Sequence, residues 1–261
     1  MTDKILTEHS GDIARIIFNQ PEKRNAVSLE MWEAVEAAVV RFSKDPTVRI
    51  LILSGAGGKA FVSGADISKF ESERASEEGV AHYNATTKRV YDMVEAFPKP
   101  TIAQVDGFCI GGGVALALCC DIRICGAGSS FAVPAAKLGL GYGYPGIKRL
   151  VNVVGPAYAK EIFFTARRFT AEESLGMGLV NRVVDDALVG QTVTEMAEMI
   201  ASNAPMTVNS VKFIVGETVK DESQRDLDAC AAKVKECFDS QDYIEGRRAF
   251  LEKRKANFVG A

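Results

Sequence analysis

Hydrophobic and polar positions alternate twice at the start of the chain, over Lys4 to His9 and Asp12 to Asn19, with Ser10-Gly11 between them. That period predicts two half-buried strands joined by a tight turn. The pattern then changes to a helical one: Met31, Trp32, Val35 and Val39 recur at helical spacing, and Ser28 stands before them as an N-cap. Arg49-Ile-Leu-Ile-Leu-Ser54 reads as a buried strand. Strand-plus-helix units recur around 48–97, 101–119 and 121–154, with Gly and Pro marking the joints. From about residue 186 the strand signals stop and helix-forming segments follow one another. Asn203-Ala-Pro205 separates two of these, with Pro205 suited to a first helical turn. The elements predict an α/β chain with a core over 1–200 and a helical extension over 201–261.

One joint carries candidate chemistry. The apolar stretch Thr101 to Val105 leads to Gly111-Gly112-Gly113, and Val114-Ala-Leu-Ala-Leu118 follows. Glycines let the backbone approach a ligand closely, and a helix that starts there aims its free N–H groups and positive dipole end at the same place. Such a turn suits negative charge, either a permanent phosphate or an oxygen that becomes negative only during a reaction; the glycines alone also fit simple packing. A second turn of the same kind is Gly55-Ala-Gly-Gly58 followed by Lys59 to Ile67. Ala65 and Gly112 each offer a backbone N–H, and two convergent backbone donors are the geometry of an oxyanion hole.

Composition narrows the class without naming the chemistry. The 261 residues are 47% hydrophobic and 25% charged, enough for a substantial core, and the formal net charge is −3 with Lys and Arg spread along the chain. No electrostatic footprint for nucleic acid is present. No apolar run reaches membrane-spanning length and Met1-Thr-Asp-Lys-Ile lacks a signal-peptide core, so a cytoplasmic protein without membrane contact is expected. The six cysteines contain no Cys-x-x-Cys pair and are expected as buried reduced thiols; with only His9 and His82 as histidines, no metal site is expected.

Several segments together carry a resemblance: Ala60-Phe-Val-Ser-Gly-Ala-Asp-Ile67, Ile110-Gly-Gly-Gly113, Cys120-Asp-Ile-Arg123, Phe164-Thr-Ala166 with Ala171-Glu-Glu173, Gly178-Leu-Val-Asn181 and Phe250 to Phe258. In this order, over almost the whole chain, they resemble the crotonase superfamily, the enoyl-CoA hydratase/isomerase family. The resemblance implies a crotonase-like spiral of ββα units with a C-terminal helical extension that makes trimer contacts, in a homotrimer or a dimer of trimers. It implies an acyl-CoA substrate, with coenzyme A as part of the substrate rather than a separate cofactor, and Ala65 and Gly112 as the oxyanion pair. The CoA moiety would meet Lys23, Arg24 and Ala26 in one loop and Gly64, Asp66 and Ile67 in a second. Phe250 and Lys253, with Arg254, would approach the adenine and 3′-phosphate, often from a neighbouring subunit.

The catalytic carboxylates are where the chain departs from that pattern. Hydratases of the family carry one glutamate shortly after the glycine turn and another just after the Pro that follows the next strand. These positions correspond to Ala115, in Gly112-Gly-Val-Ala115, and Ala135, in Phe131-Ala-Val-Pro-Ala135. Without both, hydration loses acid–base groups of a kind that contribute ~10²–10⁴-fold, while the enolate-stabilising donors remain. Decarboxylation of a malonyl-type thioester, or an isomerisation, uses those donors. The loop Gly139-Leu-Gly-Tyr-Gly-Tyr-Pro-Gly146 offers Tyr142 as proton donor, similar to methylmalonyl-CoA decarboxylases, with Tyr144 second and His82 a further pocket candidate. A non-catalytic acyl-CoA-binding module is the contrasting expectation.

Overall fold

The computed structural model describes residues 2–69, 73 and 75–261. Strands β1 (Ile5–Ser10) and β2 (Ile13–Phe18) form the expected antiparallel hairpin, pairing Ile5 with Phe18 and Ser10 with Ile13. Helix α1 (Leu29–Lys44) starts at Ser28, whose hydroxyl accepts the Met31 N–H at 3.4 Å, and it buries Met31, Trp32, Val35 and Val39. The chain then runs through β3 (Ile50–Gly55), β4 (Ala60–Val62), α2 (Glu77–Glu95), β5 (Thr101–Val105), β6 (Phe108–Ile110), α3 (Gly112–Cys119), β7 (Ile122–Gly126) and β8 (Ser130–Ala132).

Successive strands of that run belong to different sheets. The larger sheet has the order β1-β2-β3-β5-β7-β10 and the smaller β4-β6-β8-β9, where β9 is Phe169–Thr170 and β10 is Arg182–Val184. Each turn of chain therefore lays one strand in each sheet, a spiral of ββα units. The short second strands escape detection from the pattern because three residues carry no period. Thr101–Val105 does not lead directly into the glycines: the chain turns at Gly107 (φ +69) and β6 intervenes.

Alternation within the larger sheet separates two apolar layers. Leu51, Leu53, Ala103, Val105 and Cys125 face the interior with α1, α2 and α3, whereas Ile50, Ile52, Ile102 and Ile124 meet Val189, Val193, Ala197 and Ala201 of α6 (Val189–Ala201). A parallel strand covered on both faces needs a near-continuous apolar run, which Ile50 to Leu53 of β3 supply. Helix α4 (Tyr144–Thr165) breaks at Gly155, φ +75 and ψ 167, directly before Pro156 and at the end of the 121–154 unit. Helices α5 (Ala171–Gly176), α7 (Pro205–Thr218), α8 (Leu227–Asp239) and α9 (Gln241–Glu252) complete the chain. Asp121 fastens the extension to the spiral, accepting from the Thr101 N–H at 2.7 Å and from Lys212 of α7 at 2.8 Å.

No helix among the described residues is long and apolar enough to cross a membrane. All six cysteines are free. Cys109, Cys119, Cys120 and Cys125 are buried, and burial pushes the Cys120 and Cys125 thiols up to about 12. Cys230 and Cys237 differ from the expectation: they are only half-buried, on a helix that leaves one side open.

Arg123 shows how the spiral is pinned. Its guanidinium is buried and donates to carbonyls rather than to a carboxylate: Cys120 at 2.6 Å, Leu179 at 2.7 Å and Ala117 at 3.4 Å. Two of these carbonyls belong to the C-terminal turn of α3, where the helix dipole favours a cation. Arg123→Ala leaves them unsatisfied. The expected loss is about 3 kcal/mol, read as a lower denaturant midpoint; a midpoint within error of the unchanged chain would dismiss this role.

Candidate active site

The two turns singled out in the sequence meet because α3 begins against the end of β4. A Cβ on Gly113 would stand 2.1 Å from the Val62 carbonyl oxygen, so only glycine permits this approach. Gly111 precedes it with φ +56 and ψ −110, and no side chain caps the helix. A Cβ on Gly112 would lie 3.9 Å from the Gly64 Cα and 3.1 Å from the Tyr91 hydroxyl. Gly64 itself has φ +108.

Ala65 is oriented by a parallel bridge to Val27. The Val27 N–H donates to the Gly64 carbonyl at 2.8 Å and the Asp66 N–H to the Val27 carbonyl at 3.0 Å. In a parallel bridge the flanked residue turns its own N–H to the opposite side, so the Ala65 N–H leaves this pairing. Among the described residues neither it nor the Gly112 N–H has a protein acceptor.

Helical spacing brings Gly112, Ala115 and Cys119 onto one side of α3. Two phenols stand near it. The Tyr91 hydroxyl donates to the Gly112 carbonyl at 3.2 Å, and its ring meets Trp32 edge-on at 5.4 Å. Tyr142 packs edge-on against Phe163 at 4.8 Å. Burial raises the pKa of both, of Tyr91 well above the ordinary phenol, with Tyr142 and Cys119 adding to the effect on Tyr91. Both are neutral donors near pH 7. Arg149, close enough to Cys119 to affect its thiol, is paired with Asp92 at 2.6 Å and Glu95 at 2.8 Å. Ala115 and Ala135 are buried methyl groups.

Other sequence candidates separate. Tyr144 is 72% exposed at the start of α4. His82 does not enter this pocket: it lies exposed on α2 with Nε2 at 3.5 Å from Glu33, about 100° round the helix from buried Tyr83. Lys23 and Arg24 have different surroundings. The Lys23 ammonium meets Asp66 and Ser68, each at 2.9 Å, whereas the Arg24 guanidinium lies 5.0 Å from the Phe108 ring centre, with Arg168 at 5.1 Å from the same ring. The Ala26 carbonyl accepts from Gln20 at 3.1 Å, and Ile67 is exposed beside this loop. Phe250, 83% exposed, and Lys253 lie at the end of α9, which packs against α8. Arg254 is held there by Glu245 and Glu252, both at 2.6 Å.

Residues 8–261 match the family model described as Enoyl-CoA hydratase/isomerase. The chain belongs to the enoyl-CoA hydratase/isomerase family. It is 37% identical to a crotonyl-CoA hydratase of Syntrophomonas wolfei, over 98% of each chain, and 35% identical to a short-chain-enoyl-CoA hydratase of Clostridium acetobutylicum, over 97% of this chain and 96% of the other. Among solved structures it is similar to an enoyl-CoA hydratase/carnithine racemase from Magnetospirillum magneticum, with a TM-score of 0.91, 36% identity and coverage of 100% and 97%. The crotonase-fold expectation is thereby met.

Tyr91 is the group near the glycine turn that sequence reasoning missed. It follows buried Val90 on the amphipathic helix α2 and so reads as scaffold; the available signal was a phenol beside the core-facing positions, whose hydroxyl needs a partner when buried.

Asp66 anchors the Lys23 loop. Burial raises its pKa, but the hydrogen bonds from Ser68 and Lys23 more than reverse this, holding the carboxyl below its ordinary value. A folded pKa below the unfolded one gives stability that is complete above about pH 4 and is lost as pH falls through the folded value. Asp66→Asn is expected to destabilise the protein at neutral pH, with the difference from the unchanged chain shrinking below about pH 4. Denaturant titrations across that range measure the gap; a gap of constant size would remove the charge from the account.

Proposed function

We propose that this member of the enoyl-CoA hydratase/isomerase family acts on an acyl-CoA thioester through an enolate, with the backbone N–H groups of Ala65 and Gly112 holding the developing oxyanion. The observation that carries this reading is the pair of donors without protein acceptors, set on converging turns beside an uncapped helix N-terminus. In a comparable site one such donor is worth roughly 2.7–4 kcal/mol. The names of the relatives, hydratases of crotonyl-CoA and short-chain enoyl-CoA, support the thioester class.

Ala115 and Ala135 stand, on this reading, where hydratases carry glutamates. Decarboxylation of a malonyl-type thioester then suits the site better than hydration. The carboxylate leaves as CO₂, the electron pair of the broken C–C bond enters the thioester to form the enolate, and its oxygen meets the two N–H groups. Tyr142, held neutral by burial, gives a proton to the α-carbon and is reprotonated from water. Hydration is the second reading, favoured by the relatives' names, and here water would have to be activated without those two carboxylates. The CoA moiety would run past Lys23, Arg24, Ala26, Gly64, Asp66 and Ile67. A homotrimer or dimer of trimers would bring Phe250 and Lys253 from a neighbouring copy; the exposed apolar groove of 640 Å³ lined by Val211, Ile214, Phe238, Tyr243 and Phe250 supports such packing.

Two experiments test the reading. Gly112→Pro removes one donor at a first helical position; its ring has to fit beside the Tyr91 hydroxyl and after Gly111, so the fold of the variant is part of the readout. The substitution is expected to abolish turnover with circular dichroism unchanged, and full activity in the folded variant refutes the donor assignment. The second measures CO₂ release from malonyl-, methylmalonyl- and ethylmalonyl-CoA beside hydration of crotonyl-CoA. CO₂ release is expected to be the faster, and Tyr142→Phe to alter its rate or the stereochemistry of protonation without weakening CoA binding. Brisk hydration with no CO₂ would overturn the decarboxylase reading, and tight acyl-CoA binding without either reaction would make the chain a binding module.

A further inference from the structure

Gly112 is gripped from two sides. On one, the absent Cβ of Gly113 lets the Val62 carbonyl press against α3; on the other, the Tyr91 hydroxyl donates to the Gly112 carbonyl at 3.2 Å. Among the described residues nothing else restrains the turn by side-chain hydrogen bonding: Gly111, the N-cap residue, has no side chain to offer. Three glycines in sequence are the most permissive backbone available, and an oxyanion donor is useful only when its direction is set before the charge develops. The restraint has to come from outside the turn.

Tyr91 is built to supply it. Its ring is edge-on to Trp32 at 5.4 Å and 81°, and the Trp32 indole N–H donates to the Tyr83 hydroxyl at 3.2 Å. Tyr83 and Tyr91 both stand on α2, and Trp32 is on α1, so two helices fix the phenol that meets the turn. Val62 leads directly to Ser63, Gly64 and Ala65. The grip on residues 112 and 113 therefore also sets the separation of the two proposed donors.

We propose that Tyr91 is a positioning residue of the active site: its hydroxyl, acting through the Gly112 carbonyl, holds the Gly112 N–H in the direction that polarises the thioester. This role rests on the reading of Ala65 and Gly112 as the oxyanion pair. It assigns Tyr91 no contact with the reacting carbons, which distinguishes it from Tyr142.

The test uses butyryl-CoA labelled with ¹³C at the thioester carbonyl, a saturated ligand that cannot be hydrated, and infrared difference spectra of the intact protein. Binding to the unchanged chain is expected to lower the carbonyl stretching frequency. In Tyr91→Phe, which keeps the ring against Trp32, the shift is expected to fall by about half or more while affinity changes less than about threefold, since most binding is made elsewhere on the CoA. Turnover should drop through kcat rather than KM. Tyr83→Phe removes the acceptor of the Trp32 indole, one step further from the turn, and is expected to lower the shift less than Tyr91→Phe does. Should Tyr91→Phe fold poorly, 3,5-difluorotyrosine at position 91 keeps the ring and changes donor strength, and an altered shift is expected. An unchanged shift in a folded Tyr91 variant overturns the positioning role alone; no shift in the unchanged chain overturns the donor pair and Tyr91 with it; equal loss in Tyr83→Phe makes the effect a general one of helix α2 and also overturns the proposal.

Discussion

The contact between α3 and the end of β4 governs the rest of this molecule. Where Gly113 lacks a Cβ, the Val62 carbonyl oxygen occupies the space, so a helix N-terminus is pressed against a strand end. Any side chain there would force the two apart. The same contact makes neighbours of Gly64 and Gly112, which lie on successive turns of the spiral. It also sinks α3 into the core, with Val114 to Cys119 buried. A helix so enclosed needs its terminal carbonyls satisfied internally, and Arg123 does this at the far end by donating to Ala117 and Cys120. One end of α3 is thus closed by a buried cation, and the Gly112 N–H at the other has no acceptor among the described residues.

That asymmetry sets the electrostatics of the site. The open N-terminus presents positive potential, and the ionisable groups near it are kept from opposing charge of their own. Burial holds Tyr91 and Tyr142 in the phenol form and Cys119 as a thiol. A strong cation close by, Arg149, is occupied by Asp92 and Glu95. Negative charge arriving on a ligand therefore meets backbone dipoles and neutral donors. In a low-dielectric surrounding these act more strongly than they would in water and need no reorganisation.

Much of this was legible in the sequence, and what was not has physical reasons. The hairpin, the Ser28 cap, the buried strand β3 and the glycine turn each follow from local pattern, because strand alternation, capping and conformational freedom are local properties. Strands β4, β6 and β8 were not separable, since three residues show no period and their pairing is decided by the other sheet. The pairing of Lys23 with Asp66 is not visible in the sequence because it depends on the Val27–Ala65 bridge, which brings two distant segments together. His82 falls outside the pocket by helical phase, a matter of one position on α2. Tyr91 looked like core because it is core on its ring face, and only its hydroxyl reaches the turn.

A site made from backbone separates two kinds of change. A carboxylate on the α3 face can be exchanged for the methyl of Ala115 with no demand on the fold, because the helix stays apolar and gains no unsatisfied group. Gly113 or Gly64 cannot be exchanged so freely, since the close approach and the positive φ respectively forbid it. Side-chain chemistry on this face is therefore free to vary without disturbing the backbone turns, and family membership identifies a class of substrate more securely than a reaction. The reaction follows from the groups beside the glycine turn, which here include two neutral phenols, one of them donating to the Gly112 carbonyl.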